Sequence, residues 1–335
     1  MLSQSRSIRA LAFLAVFAFT VALVPRQAAA QYQVVKLVSN QAGKAKHQDA
    51  SLVNAWGISF FPGNPIWVSD NGTGKSSFYD SKGNKAGEIT IPPASGTGLG
   101  SPAGQVANTT MDFKIGGKAA IFIFSTLDGT ISGWTGAASA VIAVTAPKGT
   151  SYTGLAMAQN KGANFLYAAD SANNKVDVYD GTYKLVSSFT DTTLTGFAPY
   201  GIQNIGGKLF VTFTNASFSA GVVDIYNPAT GKIKLFSKDS HLVAPWGLAL
   251  APKNFGPASN DILVGNLGNG RINAFNAKTG KFIGPLKNKA NKLLLIDGLW
   301  GLAFGGGGTS GNTNQLFFTA GPSFYANGLF GVINP

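Results

Sequence analysis

The sequence predicts an all-β fold, a six-bladed β-propeller whose last blade is closed by the N-terminal strand. Three observations carry this. First, a phrase recurs six times: an aromatic or small residue, a glycine, an apolar strand, then a second apolar strand ending in Ser, Thr, Asp or Asn. Second, its glycines (Gly57, Gly104, Gly154, Gly201, Gly247 and Gly301) fall roughly 46–54 residues apart, the spacing of propeller blades rather than of helical repeats. Third, the last repeat is one strand short, and an orphan β run near the N-terminus can supply it.

Residues 1–30 read as a secretory signal outside the fold. Arg6 and Arg9 form a basic start, Ala10 to Val24 is apolar apart from Thr20, and Pro25 breaks the run. Ala28-Ala29-Ala30 offers the small residues that signal peptidase needs, so the mature chain is expected to begin near Gln31. Residues 31–335 then form a single domain, because the repeat is unbroken. No later run approaches membrane-spanning length. The chain has no cysteine, so disulfides and thiolate metal sites are excluded. Periplasm and medium are equally open as destinations.

The blades read in order. Blade one is NAWGISFF, PIWVSD, KSSFYD and KAGEITI. Blade two is PAGQVAN, AIFIFS, GTISGW and a weaker SAVIAVT. Blade three is YTGLAMA, FLYAAD, KVDVYD and YKLVSSF; blade four is PYGIQNI, KLFVTFT, GVVDIYN and KIKLF. Blade five is PWGLALA, DILVGN, RINAFN and KFIGPL. Each run is short and rich in β-branched or aromatic residues, with Gly, Asn, Asp or Pro between runs. Blade six has only LWGLAF, QLFFTA and GLFGVI; Tyr32 to Val38 is the strand expected to complete it. Closing a ring in this way hides edges that an open sheet would expose. Asp80, Asp180, Asn227 and Asn276 end third strands, where an Asx side chain starts the turn. Gly305 to Gly308 reads as a loop between the first two strands of blade six.

The whole chain carries 26 Lys and Arg against 14 acids; removing Arg6, Arg9 and Arg26 with the signal leaves a net charge of +9. The lysines are scattered over turns and only Arg271 remains of the arginines. Nucleic-acid recognition leans on guanidinium forks, so no nucleic-acid partner is expected. Adhesion to an anionic surface fits the charge.

The chain resembles a family of secreted six-bladed propellers of unassigned function found in bacteria and fungi. The resemblance rests on LVNAWGISF (Leu52 to Phe60), WVSDNGTG (Trp67 to Gly74), DGTISGW (Asp128 to Trp134) and APWGLALAP (Ala244 to Pro252). It covers essentially the whole mature chain. More distantly the chain looks like NHL-repeat and gluconolactonase-type propellers. The resemblance implies the fold and leaves the activity open.

Propeller geometry places the start of each innermost strand, and the loop after each second strand, around one mouth of the central channel. Trp56, Tyr200, Trp246 and Trp300 precede four of the six glycines. Asp70 and Asp170 end second strands, as do Asn215 and Asn266. One reading is a shallow ligand pocket using Trp56, Tyr200, Trp246, Trp300, Asp70 and Asp170, with aromatic faces stacking on a sugar-like or lactone ligand. Another is a metal site of Asp70, Asp170, Asn215 and Asn266, for Ca²⁺ or another divalent ion. In a third the aromatics wedge between blades and the polar groups cap strand ends. Gluconolactonase-type enzymes hold their ion with Asn, Asp and Glu; Glu88 lies on an outer strand here, so that resemblance does not carry over. His47, Asp49 and His241 are the candidates for acid–base catalysis. Serine-hydrolase and zinc-protease motifs are absent from the sequence. The expected function is a secreted monomer binding a small molecule, glycan or protein at the channel mouth. The alternatives are a metal-assisted lactonase or esterase and a structural protein adhering to an anionic cell surface.

Overall fold

Strands here are buried on both faces, and that condition explains their composition. On the second strand of blade four, Leu209, Val211 and Phe213 pack towards blade three while Phe210 packs towards blade five. A strand sandwiched in this way reads as a continuous apolar run instead of an alternating one. The computed structural model describes Met1 and residues 32–335. The expected signal sequence and its cleavage point lie outside the described residues, apart from Met1.

The six blades follow the chain. Blade one consists of Ala55–Ser59, Ile66–Asp70, Lys75–Tyr79 and Lys85–Thr90, ordered from the channel outwards. Blade two consists of Pro102–Ala107, Phe122–Thr126, Thr130–Trp134 and Val141–Thr145. Blades three, four and five open on the innermost strands Tyr152–Asn160, Phe197–Ile205 and Pro245–Leu250, each followed by three antiparallel partners. Blade six holds Leu299–Phe304, Leu316–Ala320 and Leu329–Asn334. Against its last strand lies Gln33–Ser39, antiparallel, with Val35 opposite Val332. His47–Gln48 then adds a short parallel strand outside it. Tyr32, next to this N-terminal strand, is buried and donates its hydroxyl to the Phe255 carbonyl of blade five.

Six hydrophobic clusters fill the spaces between neighbouring blades, and a seventh lies on the axis. The interface of blades one and two is aromatic: Trp67 stacks on Phe78 at 4.2 Å and on Phe122 at 4.3 Å. It also holds a polar knot. Gln105 donates to the Trp67 carbonyl and accepts from the Ser69 and Ser76 hydroxyls. The equivalent position in the other blades is Ile58, Leu155, Ile202, Leu248 or Leu302.

Every innermost strand carries an irregularity at the residue–glycine step, where its pairing with the second strand shifts. The shift leaves the backbone of one innermost strand against the next. A Cβ on Gly57 would meet Ala103 O at 2.3 Å, one on Gly201 would meet Trp246 O at 2.2 Å, and one on Gly247 would meet Trp300 O at 2.3 Å. On Gly301 it would meet Trp56 O at 2.7 Å, which carries the packing from blade six back to blade one. Hydroxyls on the second strand satisfy the displaced amides: Thr212 accepts from Gly201 N at 2.8 Å and Thr319 from Gly301 N at 2.8 Å.

The hairpin turns behave as their Asx residues suggest. Asp80 accepts from Lys82 N and Asn84 N, Asp180 from Thr182 N and Lys184 N, and Asn276 from Lys278 N and Thr279 N. The Gly305 to Gly308 loop packs on blade one, with Gly308 bridged to Gly63.

Asp224, on the third strand of blade four, is buried and neither carboxylate oxygen has a donor. Burial, reinforced by Asp191, pushes its pKa up to about 7. The folded state therefore holds a proton that the unfolded state releases near pH 4. Stability from this group is present below that pH and is lost as pH rises towards about 7. In urea titrations from pH 4 to pH 8, Asp224→Asn should remove this part of the decline and be more stable than the wild type at pH 8.

Candidate functional site: a channel closed at one end and open at the other

The strand irregularity decides which way the large aromatic residues point. Trp56, Tyr200, Trp246 and Trp300 occupy the shifted position just before the glycine, and all four meet on the axis with Ala103, Ala244 and Leu267. Trp56 and Trp300 stack with centroids 3.6 Å apart, while Trp246 presents its edge to Trp56 at 6.1 Å and to Trp300 at 5.9 Å. Tyr200 lies 5.8 Å from Trp300. Trp246 donates its indole N–H to Thr153 O at 2.9 Å, and Trp300 donates to Asn54 Oδ1 at 3.0 Å. Phe218 and Tyr325 cover the group from outside.

The four rings are at most 9% exposed. They neither wedge between blades nor leave an open pocket between them. They plug the channel at the end where the innermost strands begin, here called the near end. Burial raises the Tyr200 phenol well above its ordinary pKa.

The polar candidates around the near end are engaged individually. Asp70 is fully buried and accepts from Ser77 Oγ at 2.6 Å. Burial pushes its carboxyl well above the usual range, against the effect of that bond, and its Oδ1 has no hydrogen-bond partner. Asp170 caps its own loop, accepting from Ser151 N, Asn173 N and Asn173 Nδ2. Asn215 accepts from Ser219 N and Ala220 N within a hairpin. Asn266 donates to the His241 carbonyl. Among the described residues no three His, Asp or Glu side chains gather as a metal centre needs. Asp70 Oδ1 and Asn266 Oδ1 are buried without a hydrogen-bond partner, but Asp70, Asp170, Asn215 and Asn266 stand in four different blades, and nothing among the described residues gathers them into the six to eight oxygens of a Ca²⁺ cage.

The three acid–base candidates lie away from the axis. His47 is on the short strand at the outer edge of blade six. His241 stacks on Phe282, an outermost-strand residue, at 3.7 Å, and its Nδ1 meets Asp239 at 2.6 Å. Asp49 accepts from the Tyr79 hydroxyl at 2.7 Å and pairs with Lys85 at 2.7 Å. Asp49, Asp191 and Asp239 each accept an amide two residues on, in D-A-S-L, D-T-T-L and D-S-H-L. This recurring Asx turn leads the chain into an innermost strand. It accounts for Asp49 and His241 without catalysis.

The open end is the opposite one, where the innermost strands finish. A cavity of about 500 Å³ lies there, within the usual size range for small-molecule sites. All six blades line it, through the residues that follow the repeat glycines. Its wall includes Ile58, Leu155, Met157, Leu248, Leu302 and Phe304. Thr109, Gln203 and Asn204 supply polar groups, and no lining residue is charged. Beneath it a void of about 20 Å³, touched by Trp246 and Gly247, separates the cavity from the plug. That void is large enough for about one water. The innermost strands have no partner on their channel side, so backbone N–H and C=O groups also face this space.

These lining residues stand after the repeat glycines, on the side opposite the aromatic positions that stand out in the sequence. The usable signal was the apolar stretch after each glycine.

No protein-family model matches the chain. Among curated proteins, the uncharacterized protein R648 of Acanthamoeba polyphaga mimivirus is 30% identical over 339 residues, covering 92% of this chain and 82% of that protein. The chain belongs to the family of that protein. Uncharacterized protein L690 of the same virus is 29% identical over 337 residues, covering 92% of this chain and 87% of its own length. Among solved structures, a streptogramin B lyase superposes with a TM-score of 0.57 at 14% identity, covering 91% of this chain and 98% of the lyase. The PQQ-bound aldose sugar dehydrogenase of Streptomyces coelicolor gives 0.56 at 12% identity, covering 91% and 99%. At such identities the likeness is one of fold, and the two neighbours carry different chemistries.

Proposed function

We propose that the protein is a secreted, monomeric binding propeller that takes a small molecule in the open end of its channel. The observation that carries this is the asymmetry of the channel. The near end is plugged by four aromatic side chains, whereas the far end opens into a cavity of about 500 Å³ lined by all six blades. A concave, largely apolar wall with a few polar groups is the usual form of a small-molecule site. Secretion, and kinship with secreted propellers of bacteria and fungi, belong to this proposal; the leader-like residues 1–30 support export. Among the described residues no helix is long and apolar enough to cross a membrane.

The metal-assisted hydrolase reading has less support, since its four candidate ligands stand in four different blades and Asp170 and Asn215 cap their own loops. A thermal-shift screen of small metabolites tests the binding reading. Thr109 and Gln203 are exposed residues of the cavity wall, so the double variant Thr109→Trp, Gln203→Trp should fill it and spare the core. A ligand near 100 times its Kd adds about 2.7 kcal/mol of stability. At least one compound should raise the wild-type Tm and leave the double variant unmoved. Stabilising compounds that act equally on both proteins would rule the cavity out.

A further inference from the structure

We infer that the open cavity takes an uncharged polyol, a neutral saccharide being the simplest case. The inference rests on the binding reading above and adds the class of ligand. The lining residues come from every blade, and none of them carries a charge. An ionised ligand drawn into this space would lose hydration and meet no counter-charge, so the wall selects against acids and amines alike.

The same wall is supplied with neutral hydrogen-bonding groups. Gln203 stands on the innermost strand Phe197–Ile205 and is exposed all the same, and Thr109 is exposed on the side of blade two. Ser59 is a wall residue of blade one whose hydroxyl, buried beside the cavity, has no partner in the protein. Asn204 and Gln105 are committed already. Asn204 donates to Met157 O at 2.8 Å and accepts from Gly207 N at 3.0 Å, and Gln105 serves the knot between blades one and two. The backbone adds to these groups. Each innermost strand is paired on its outer side only, and along an antiparallel edge alternate residues turn both N–H and C=O to the unpaired side. Donors and acceptors are therefore offered together. A hydroxyl both donates and accepts, whereas a carboxylate only accepts and an ammonium only donates. Several hydroxyls on one uncharged frame suit such a wall, and the C–H faces of a sugar ring find Phe60, Leu302 and Phe304 beside them.

The probes share one ring and differ in charge or hydroxyls: the methyl glycosides of glucose and galactose, their uronic acids, their 2-amino counterparts, and cyclohexyl methyl ether, which has no hydroxyl. Binding is followed by calorimetry and by tryptophan emission, with Trp246 beneath the cavity. At least one neutral glycoside should bind about ten-fold more tightly than its acid, its amine and the ether. Gln203→Leu should weaken that glycoside about ten-fold, and Gln203→Lys should shift the preference about ten-fold towards the uronic acid. Gln203 is exposed, and an unchanged Tm will show that the fold is intact. Should the lysine variant unfold, Thr109→Val takes its place, with a loss confined to the neutral glycoside.

An acid, an amine or the ether that binds as tightly as the neutral glycosides overturns the polyol inference, and so does indifference to the Gln203 substitutions. If the binding of that probe then disappears in the Thr109→Trp, Gln203→Trp variant, the cavity reading survives without it. Binding of no probe also overturns the inference, and the metabolite screen separately decides whether the cavity binds anything.

Discussion

Replacing Gly201 with alanine should cost the protein about 3 kcal/mol or more, the range expected when overpacking is forced on a close backbone contact. The added Cβ would lie 2.2 Å from Trp246 O and 3.0 Å from Thr212 Oγ1. The obstacle is therefore backbone of the neighbouring blade and the hydroxyl that accepts the Gly201 amide. Neither can move alone, because Trp246 O belongs to the next shifted step and the same contact repeats around the axis. The change should appear as a lower urea midpoint at unchanged m-value. Gly284→Ala is the internal control. It lies in an outermost strand with nothing within 4 Å of its would-be Cβ, and alanine there should be neutral or slightly stabilising. Equal effects of the two substitutions would refute the idea that the repeat glycines exist for blade-on-blade approach.

Trp300→Ala is expected to be the other severe substitution, at about 3–5 kcal/mol. The side chain is 1% exposed, stacks on Trp56 at 3.6 Å, and meets Tyr200, Trp246 and Tyr325 within 6 Å. Its loss leaves a void on the axis and deprives Asn54 Oδ1 of its indole donor. Asn54 is held at φ 49 and donates to Asn71 Oδ1, so the effect should spread into the turn between the second and third strands of blade one. Trp300→Phe should recover part of the packing but not the hydrogen bond. A penalty below about 1 kcal/mol for the alanine variant, a level typical of surface sites, would mean that the aromatic group is not a structural plug. Its proper place would then be among ligand contacts, as one of the sequence readings has it.

Blade number, strand order and hairpin turns were legible because they depend on local chemistry. A doubly buried strand needs a short apolar run, and an Asx side chain starts a turn wherever it stands; Asp80 and Asn276 behave the same with or without neighbours. The shortage of one strand in blade six was legible too, and Gln33–Ser39 does pair with Leu329–Asn334. The candidate site was much less legible. Trp56, Tyr200, Trp246 and Trp300 were recognisable as equivalent positions, yet equivalence does not say whether four rings line a pocket or fill it. His241 and Asp49 looked like chemistry because their partners, Phe282 and Tyr79, are distant in sequence.

The sequence by itself therefore determined the repeating unit, its strands and turns, and the glycine at each innermost strand, since these answer to short-range sterics and burial. Only the tertiary structure decided which end of the channel is open. That depends on how six side chains from six blades share one axis: four large rings together leave no room at the near end, while the residues that follow the glycines surround an open cavity at the far end. Volume on a shared axis is a sum over the whole ring, and no single blade contains it.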